Sequence, residues 1–295
     1  MREIYELKEK QTKFYQELRQ IAVEQSEEIA NRIVRFIRLM HRKAERPYAV
    51  IGFSGGIDSS LTAALCVQAL GGGNAIGVKM PYLKMSSNES LKYANLLIKA
   101  LELSAENIFE IPINKAVDAT IEDLEKASVT LSLVDKGNIM ARERMKILYA
   151  VAAAKNGLVV DTCNKTEVCT GYYTRYGDGG CDYNPVGGVY KTWVWELSKY
   201  LGVPNEIIQR RPSAELEAGQ SDEDDLRISY PALDLMLWFL NEKRVSRKEL
   251  TQKYGYPAEI VRMVVERVAA NSFKNELPPV CLPPLLKRTQ RFIFL

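Results

Sequence analysis

Apolar residues recur at helical spacing early in the chain. Leu18, Ile21, Ala22, Ile29, Ile33 and Ile37 share one stripe within residues 11–45, with charges on the opposite face. From residue 48 the pattern changes to short apolar runs alternating with helical stretches. Residues 48–53, 74–80, 108–113 and 158–161 read as strands, and 60–70, 87–101, 114–131 and 138–155 as helices. Such alternation predicts an α/β fold, a doubly wound parallel sheet with helices on both faces, in which ligands sit at the carboxyl ends of the strands. Residues 161–190 are rich in Gly, Tyr and polar side chains and lack a regular pattern. Helical stretches return at 191–201, 229–241, 246–254 and 257–271, with a polar, charged loop at 204–227. No repeat or linker divides the chain, so residues 1–295 read as a single domain. Pro81 to Asn88 and 204–227 are the segments expected to close over a ligand.

Composition narrows the class. At 295 residues, 46% hydrophobic and 26% charged, the chain is an ordinary globular one, and a net charge of +3 gives no argument for nucleic acid. No apolar run is long enough to cross a membrane, and the charged start Met1-Arg2-Glu3 lacks the apolar core of a signal peptide, so the cytoplasm is the expected location. Cys66, Cys163, Cys169, Cys181 and Cys281 are an odd set without CxxC spacing, which disfavours a disulfide framework or a zinc site. The single histidine, His41, has no evident nucleophile partner, which disfavours hydrolase and glutaminase chemistry.

The strongest local signal is Gly52-Phe53-Ser54-Gly55-Gly56-Ile57-Asp58-Ser59, directly after the apolar run 48–51 and before an apolar helix expected near Ser60. Glycines let the backbone approach an anion, and N–H groups at a helix start carry partial positive charge. Ser54 and Ser59 add hydroxyls. No Gly-Lys-Ser/Thr closes the loop, so it is not a Walker-type P-loop. Asp58 beside polyphosphate would be repelled unless a divalent cation lay between them, which makes it a candidate Mg²⁺ ligand. The order Ser-Gly-Gly-x-Asp-Ser resembles the signature of the ATP pyrophosphatase superfamily, whose members transfer AMP to a substrate oxygen and release pyrophosphate.

Three later segments add chemistry. Gly137-Asn138 with Arg142 and Arg144 reads as a helix start with Asn138 as N-cap, and fits exposed arginines and substrate contact equally. Asp161-Thr162-Cys163-Asn164-Lys165-Thr166-Glu167 follows the fourth strand on the same sheet edge, where Glu167 can supply a second Mg²⁺ carboxylate. Residues 171–182 crowd tyrosines, glycines, Arg175, Asp178 and Asp182 into an irregular span, followed by Tyr190-Lys191-Thr192. With Arg211-Pro212-Ser213-Ala214 and Gly219-Gln220-Ser221-Asp222-Glu223, this order closely resembles the NAD synthetase family over residues of about 20 to 280.

The resemblance implies an adenine nucleotide alpha hydrolase-like, Rossmann-like fold. It also implies conversion of deamido-NAD, ATP and ammonia to NAD, AMP and pyrophosphate through an adenylated nicotinate. The chain has no room for the nitrilase-like domain of glutamine-using members, so the ammonia-dependent form is implied. Residues 52–59 would hold the ATP phosphates, with Thr162, Lys191 and Ser213 also on ATP and Asp58 and Glu167 on Mg²⁺. Asn138, Arg142, Arg175 and Asp182 would meet deamido-NAD, Asp182 near the nicotinate carboxylate where it helps orient or deprotonate ammonium. Asp58, Lys191 and Asp182 would thus carry catalysis. Phe273-Lys274 stands where the family has His-Lys, and Arg175 where lysine is common. A homodimer is implied, with the dinucleotide near its interface. Relatives that amidate or thiolate another acceptor, and a nucleotide sensor without turnover, are the competing readings. The former lack support from a basic face or a cysteine pair, and the latter would not need Lys191 and Asp182 together.

Overall fold

Four strands form the centre: β1 (Tyr48–Gly52), β2 (Ala75–Lys79), β3 (Ile108–Glu110) and β4 (Gly157–Val159). They are all parallel, in the order β3-β2-β1-β4. The computed structural model describes residues 4–82, 88–211 and 221–281. Strand alternation sends Ala49, Ile51 and Phe53 into one core and Val50 into another, so both faces need covering. On the first face lie α2 (Ser26–Ala44), α3 (Ile57–Leu70) and α4 (Asn88–Ala100), through Ile33, Ile37, Leu61, Leu65 and Leu97. On the second lie α5 (Asn114–Lys126) and α6 (Leu133–Lys155), through Val117, Met140 and Ala152. The doubly wound parallel sheet expected from the pattern is present.

The rest of the chain is helical: α7 (Lys165–Thr170), α8 (Lys191–Tyr200), α9 (Asn205–Ile208), α10 (Asp222–Leu226), α11 (Tyr230–Asn241), α12 (Arg247–Gln252) and α13 (Ala258–Asn271). Residues of α11, α12 and α13 form a further core with Leu18 of α1 (Glu9–Glu24), and Trp193 and Trp195 of α8 pack against both this core and that of the first sheet face. The stripe through 11–45 is therefore not one helix. It breaks at Gln25, where ψ is 8°, because Leu18 and Ile33 serve different cores. Ser26 Oγ bonds back to Ala22 O at 2.6 Å across the break, a local bond that competes with the helical ladder.

Two boundaries also move. Helix α6 begins at Leu133, capped by Ser132 and Asp135, so Asn138 lies inside the helix and is not its N-cap. Strand β3 ends before Pro112, although Ile111 and Ile113 still donate to Lys79 O and Pro81 O along the edge of β2.

His41 is a core residue. Its Nδ1 lies 2.7 Å from Arg46 O and must carry the proton, so Nε2, 2.8 Å from Tyr183 Oη, accepts from that hydroxyl. Burial lowers its pKa below the ordinary value, against the opposing pull of the Arg46 carbonyl. The folded chain thus resists a proton that the unfolded chain accepts, and this group withdraws stability as pH falls below about 6.5. Since the chain has one histidine, its imidazole NMR signal is unambiguous and is expected to titrate below that value. Titration at or above it would contradict the neutral, buried ring.

Candidate active site

The loop after β1 is shaped by two close approaches. Phe53 N–H donates to Val78 O at 2.9 Å, and the Phe53 ring lies where a Cβ on Gly77 would stand, 2.5 Å away. Gly55 has φ +76°, and a Cβ there would meet Ser90 O of α4 at 2.4 Å, so only glycine serves. Helix α3 then starts at Ile57, three residues earlier than the apolar pattern implies, which puts Asp58 and Ser59 in its first turn. Its N-cap, Gly56, offers no side chain. The first-turn N–H groups of this 14-residue helix are therefore left for an anion. Ser54 Oγ accepts from Gly56 N–H at 3.2 Å and lies 3.0 Å from Ser59 Oγ, which fixes both hydroxyls beside that turn.

Neighbouring β4 delivers the opposing wall. Asn164 and Glu167 cap α7 reciprocally: Asn164 N–H donates to Glu167 Oε2 at 3.0 Å, and Glu167 N–H to Asn164 Oδ1 at 3.1 Å. Asn164 Nδ2 also donates to Asp58 Oδ1 at 2.9 Å, joining the two loops. Lys191, the first residue of α8, has a side chain only 2% exposed, and its Nζ lies 2.5 Å from Asp58 Oδ2 and 3.7 Å from Glu167 Oε1. Asp222 stands nearby and accepts from Tyr230 Oη at 3.0 Å.

The electrostatics follow from that crowding. Burial alone would depress the Lys191 pKa, but Asp58, Glu167 and Asp222 more than offset it and keep the ammonium charged. Glu167 is pushed well above the carboxylate range by burial and then by Asp58, with Lys191 opposing. Asp222 is raised by burial, with Lys191 and the Tyr230 hydroxyl pulling it down. Three acids thus share one ammonium.

Mg²⁺ is commonly held by one or two carboxylates together with phosphate oxygens and water. Asp58 and Glu167 fit that donor set, and a divalent cation between them would offset the repulsion that Asp58 adds to burial at Glu167. Among the described residues no group of three or more His, Cys, Asp or Glu has metal-holding geometry, so the remaining ligands would come from phosphate and water.

These groups line a cavity of about 710 Å³. Gly52, Phe53, Ser54, Gly56, Ile57, Asp58 and Ser59 are in its wall, as are Asn138, Thr162, Glu167, Lys191 and Lys274; Gly55 is not. Asn138 Oδ1 accepts from Thr174 Oγ1 at 2.7 Å, tying α6 to the loop after α7. Lys274 Nζ donates to Gly171 O and Tyr173 O at 2.7 and 2.8 Å, so it clamps that loop.

Of the expected contacts, Arg142, Arg175, Asp182 and Phe273 are not in the wall. Asp182 is exposed, and its Oδ2 accepts from Val159 N–H at 2.7 Å. Arg142 is exposed on α6, and its Nε donates to Arg175 O at 3.4 Å. Arg175 stacks between Tyr176 and the exposed Phe273 and donates to Glu276 O at 2.8 Å. Ser213 lies outside the described residues. Conversely, Tyr172 and Asp222 line the cavity without having been assigned a role in the sequence, and Arg144 lines it where Arg142 does not. The i, i+2 spacing of Arg142 and Arg144 put them on different helix faces, and that alone could have shown that only one points inward.

Comparison with known proteins gives the family. The family model described as NAD synthase matches residues 29–278. The ammonia-dependent NAD⁺ synthetase of Methanosarcina mazei is 42% identical over 254 residues, covering 86% of this chain and 97% of that protein. Among solved structures, an NMN synthetase from Francisella tularensis has a TM-score of 0.75 at 31% identity, covering 88% of this chain and 99% of that one. The ammonia-dependent NAD synthetase from Campylobacter jejuni, solved with nitrate, has a TM-score of 0.71 at 30% identity, covering 87% and 99%. With a glycine-rich loop joined to a buried ammonium and its acids, and a family match over most of its length, the chain belongs to the NAD synthase family.

Proposed function

We propose that this chain makes NAD from deamido-NAD, ammonia and ATP, releasing AMP and pyrophosphate through an adenylated nicotinate. The observation that carries the reading is the Asp58–Lys191–Glu167 centre at the mouth of the loop 52–59. A carboxylate does not accept ammonia directly, because oxide is a poor leaving group. One nicotinate oxygen therefore attacks the α-phosphorus of ATP, the α–β bridging bond breaks, and pyrophosphate leaves. Ammonia then attacks the activated carbonyl carbon, and AMP departs with the former nicotinate oxygen.

The chain's own groups fit these steps. Residues 54–59 present N–H and hydroxyl groups to the phosphates, with Thr162 and Ser213 completing the ATP contacts. Lys191, kept charged by its acids, offsets the negative charge that grows as pyrophosphate separates. Asp58 and Glu167 would hold Mg²⁺, which when bound neutralises phosphate charge. The cavity limits water around the adenylate. Asn138 and Lys274 shape the acceptor end. Arg142, Arg175, Asp182 and Phe273, which lie outside the cavity wall, would meet deamido-NAD at a homodimer interface. Residues 1–295 act as one domain using free ammonia, and the expected location is the cytoplasm; among the described residues no helix is long and apolar enough to cross a membrane.

Incubation with Mg-ATP, deamido-NAD and ammonium is expected to give NAD, AMP and pyrophosphate one-for-one, with glutamine a poor replacement for ammonium. Asp58→Ala is expected to reduce the rate by about a thousandfold. Because the Francisella relative is named an NMN synthetase, nicotinate mononucleotide is the competing acceptor. Its faster amidation would replace deamido-NAD, and ATP cleavage without any amide would sink the acceptor assignment.

A further inference from the structure

Helix α8 begins with the residue that carries the buried ammonium, yet its N-cap, Tyr190, makes no side-chain cap. The first N–H groups of a helix need acceptors, and here both come from outside the helix. Lys191 N–H donates to Thr166 Oγ1 at 3.0 Å, and Thr192 N–H donates to Asp234 Oδ2 at 2.7 Å. The Thr166 hydroxyl in turn donates to Asp234 Oδ1 at 2.5 Å. Asp234 is 0% exposed, on α11 between Leu233 and Leu235, a site where an isolated carboxylate would be costly. Burial pushes its carboxyl up to about 6, and the Thr166 hydroxyl and Thr192 N–H act to lower it.

We propose that Asp234 is a positioning residue for the phosphate site: through Thr166 and the α8 N-terminus it fixes Lys191 and Glu167 relative to each other. Three helices meet at this one carboxylate. Thr166 immediately precedes Glu167 on α7, Lys191 and Thr192 open α8, and Asp234 comes from α11. The negative charge also faces the positive end of α8. The direction of every hydrogen bond is determined. A carboxylate only accepts, so the Thr166 hydroxyl must donate to it and thereby offers its lone pair to Lys191 N–H. An asparagine cannot reproduce this. Its amide NH₂ would face either Thr192 N–H, donor against donor, or Thr166, which would then receive two donors and have nowhere to send its own proton.

The proposal rests on the ATP site of the proposed reaction, so the first readout is Mg-ATP binding by calorimetry, which needs no turnover. In the full-length chain, Asp234→Asn and Thr166→Val are each expected to weaken Mg-ATP binding by about 10- to 100-fold, the range found when a group supporting a site residue is removed. NAD formation is expected to lose kcat to a similar degree, with KM for deamido-NAD unchanged. Thr166→Ser, which keeps the hydroxyl, is expected to stay within about threefold of wild type. Wild-type affinity in either of the first two variants, a serine variant no better than valine, or an equal rise in the deamido-NAD KM would overturn the role. If Asp234→Asn does not fold, Thr166→Val against Thr166→Ser decides it. Wild-type protein that binds Mg-ATP yet makes no NAD would refute the reaction, while the binding series would still decide the role of Asp234.

Discussion

Lys191→Met is expected to abolish turnover, with a loss of about a thousandfold, and to destabilise the fold as well. The ammonium opposes burial and Asp58 in lowering the Glu167 pKa, and it also attracts Asp58 and Asp222. Without it the acids face one another in a largely buried site, and breaking a buried pair in this way costs about 3–5 kcal/mol. The pH dependence has a definite sign. Glu167 and Asp222 already have raised folded-state pKa values, and removing Lys191 raises them further. Groups raised in the folded state take up protons on folding, so their penalty is absent at low pH and grows as pH rises. The stability gap between variant and wild type, measured by denaturant titration, should therefore be widest above pH 7 and narrow towards pH 5. A variant as stable as wild type at pH 8, with normal turnover, would remove Lys191 from the centre.

Gly55→Ala should have the next largest effect, a fall in Mg-ATP affinity of about a hundredfold, equal to about 2.7 kcal/mol. The new methyl group would stand 2.4 Å from Ser90 O and 3.2 Å from Tyr93 Cβ, in a backbone conformation with φ +76°. Either the loop flips or α4 withdraws. Both disturb Arg210, which donates to Gly55 O at 3.1 Å and to Ser90 Oγ at 2.9 Å while lying over the Tyr93 ring. Gly71→Ala isolates the cause. Gly71 has φ +83°, but a Cβ there meets nothing within 4 Å, and it closes α3 at the end away from the loop. That variant should lose about 1–3 kcal/mol of stability and keep its Mg-ATP affinity. Equal losses of affinity in the two variants would mean that backbone strain, not the contact with α4, governs the loop.

What could be read from the sequence was whatever is local. Residues 48–59 disclose a strand, a turn and a helix because an apolar run, paired glycines and a second apolar run stand side by side. The break at Gln25 left no trace, since the apolar stripe keeps its phase across it while the two halves pack into different cores. Helix α7 was passed over because six residues carry no period, although Asn164 and Glu167 have the spacing of a reciprocal cap. The start of α6 was hidden by Gly137, which reads as a breaker but lies buried inside the helix. In the site, Asp58 and Glu167 were identifiable because carboxylates follow strands at the ligand edge. Lys191 drew its role from a family pattern, and its burial among three acids is a tertiary fact. Asp222 and Asp234 could not be assigned locally: the first lies in an acidic run that looks like surface, the second in an apolar helix where a lone acid looks like an exception.

The sheet order has a consequence for how the protein is made. Strands β1 and β4 are neighbours, yet Asp58 meets Asn164 across 106 residues and Lys191 across 133. A ribosome therefore delivers the loop 52–59 long before the groups that complete it. Until α8 has emerged and docked, Asp58 has neither Asn164 nor the ammonium beside it, and the loop is only a glycine-rich turn on an unfinished sheet. Nucleotide affinity should thus arrive late and all at once during synthesis, so that retention of the growing chain by immobilised ATP would time the docking of the C-terminal helices.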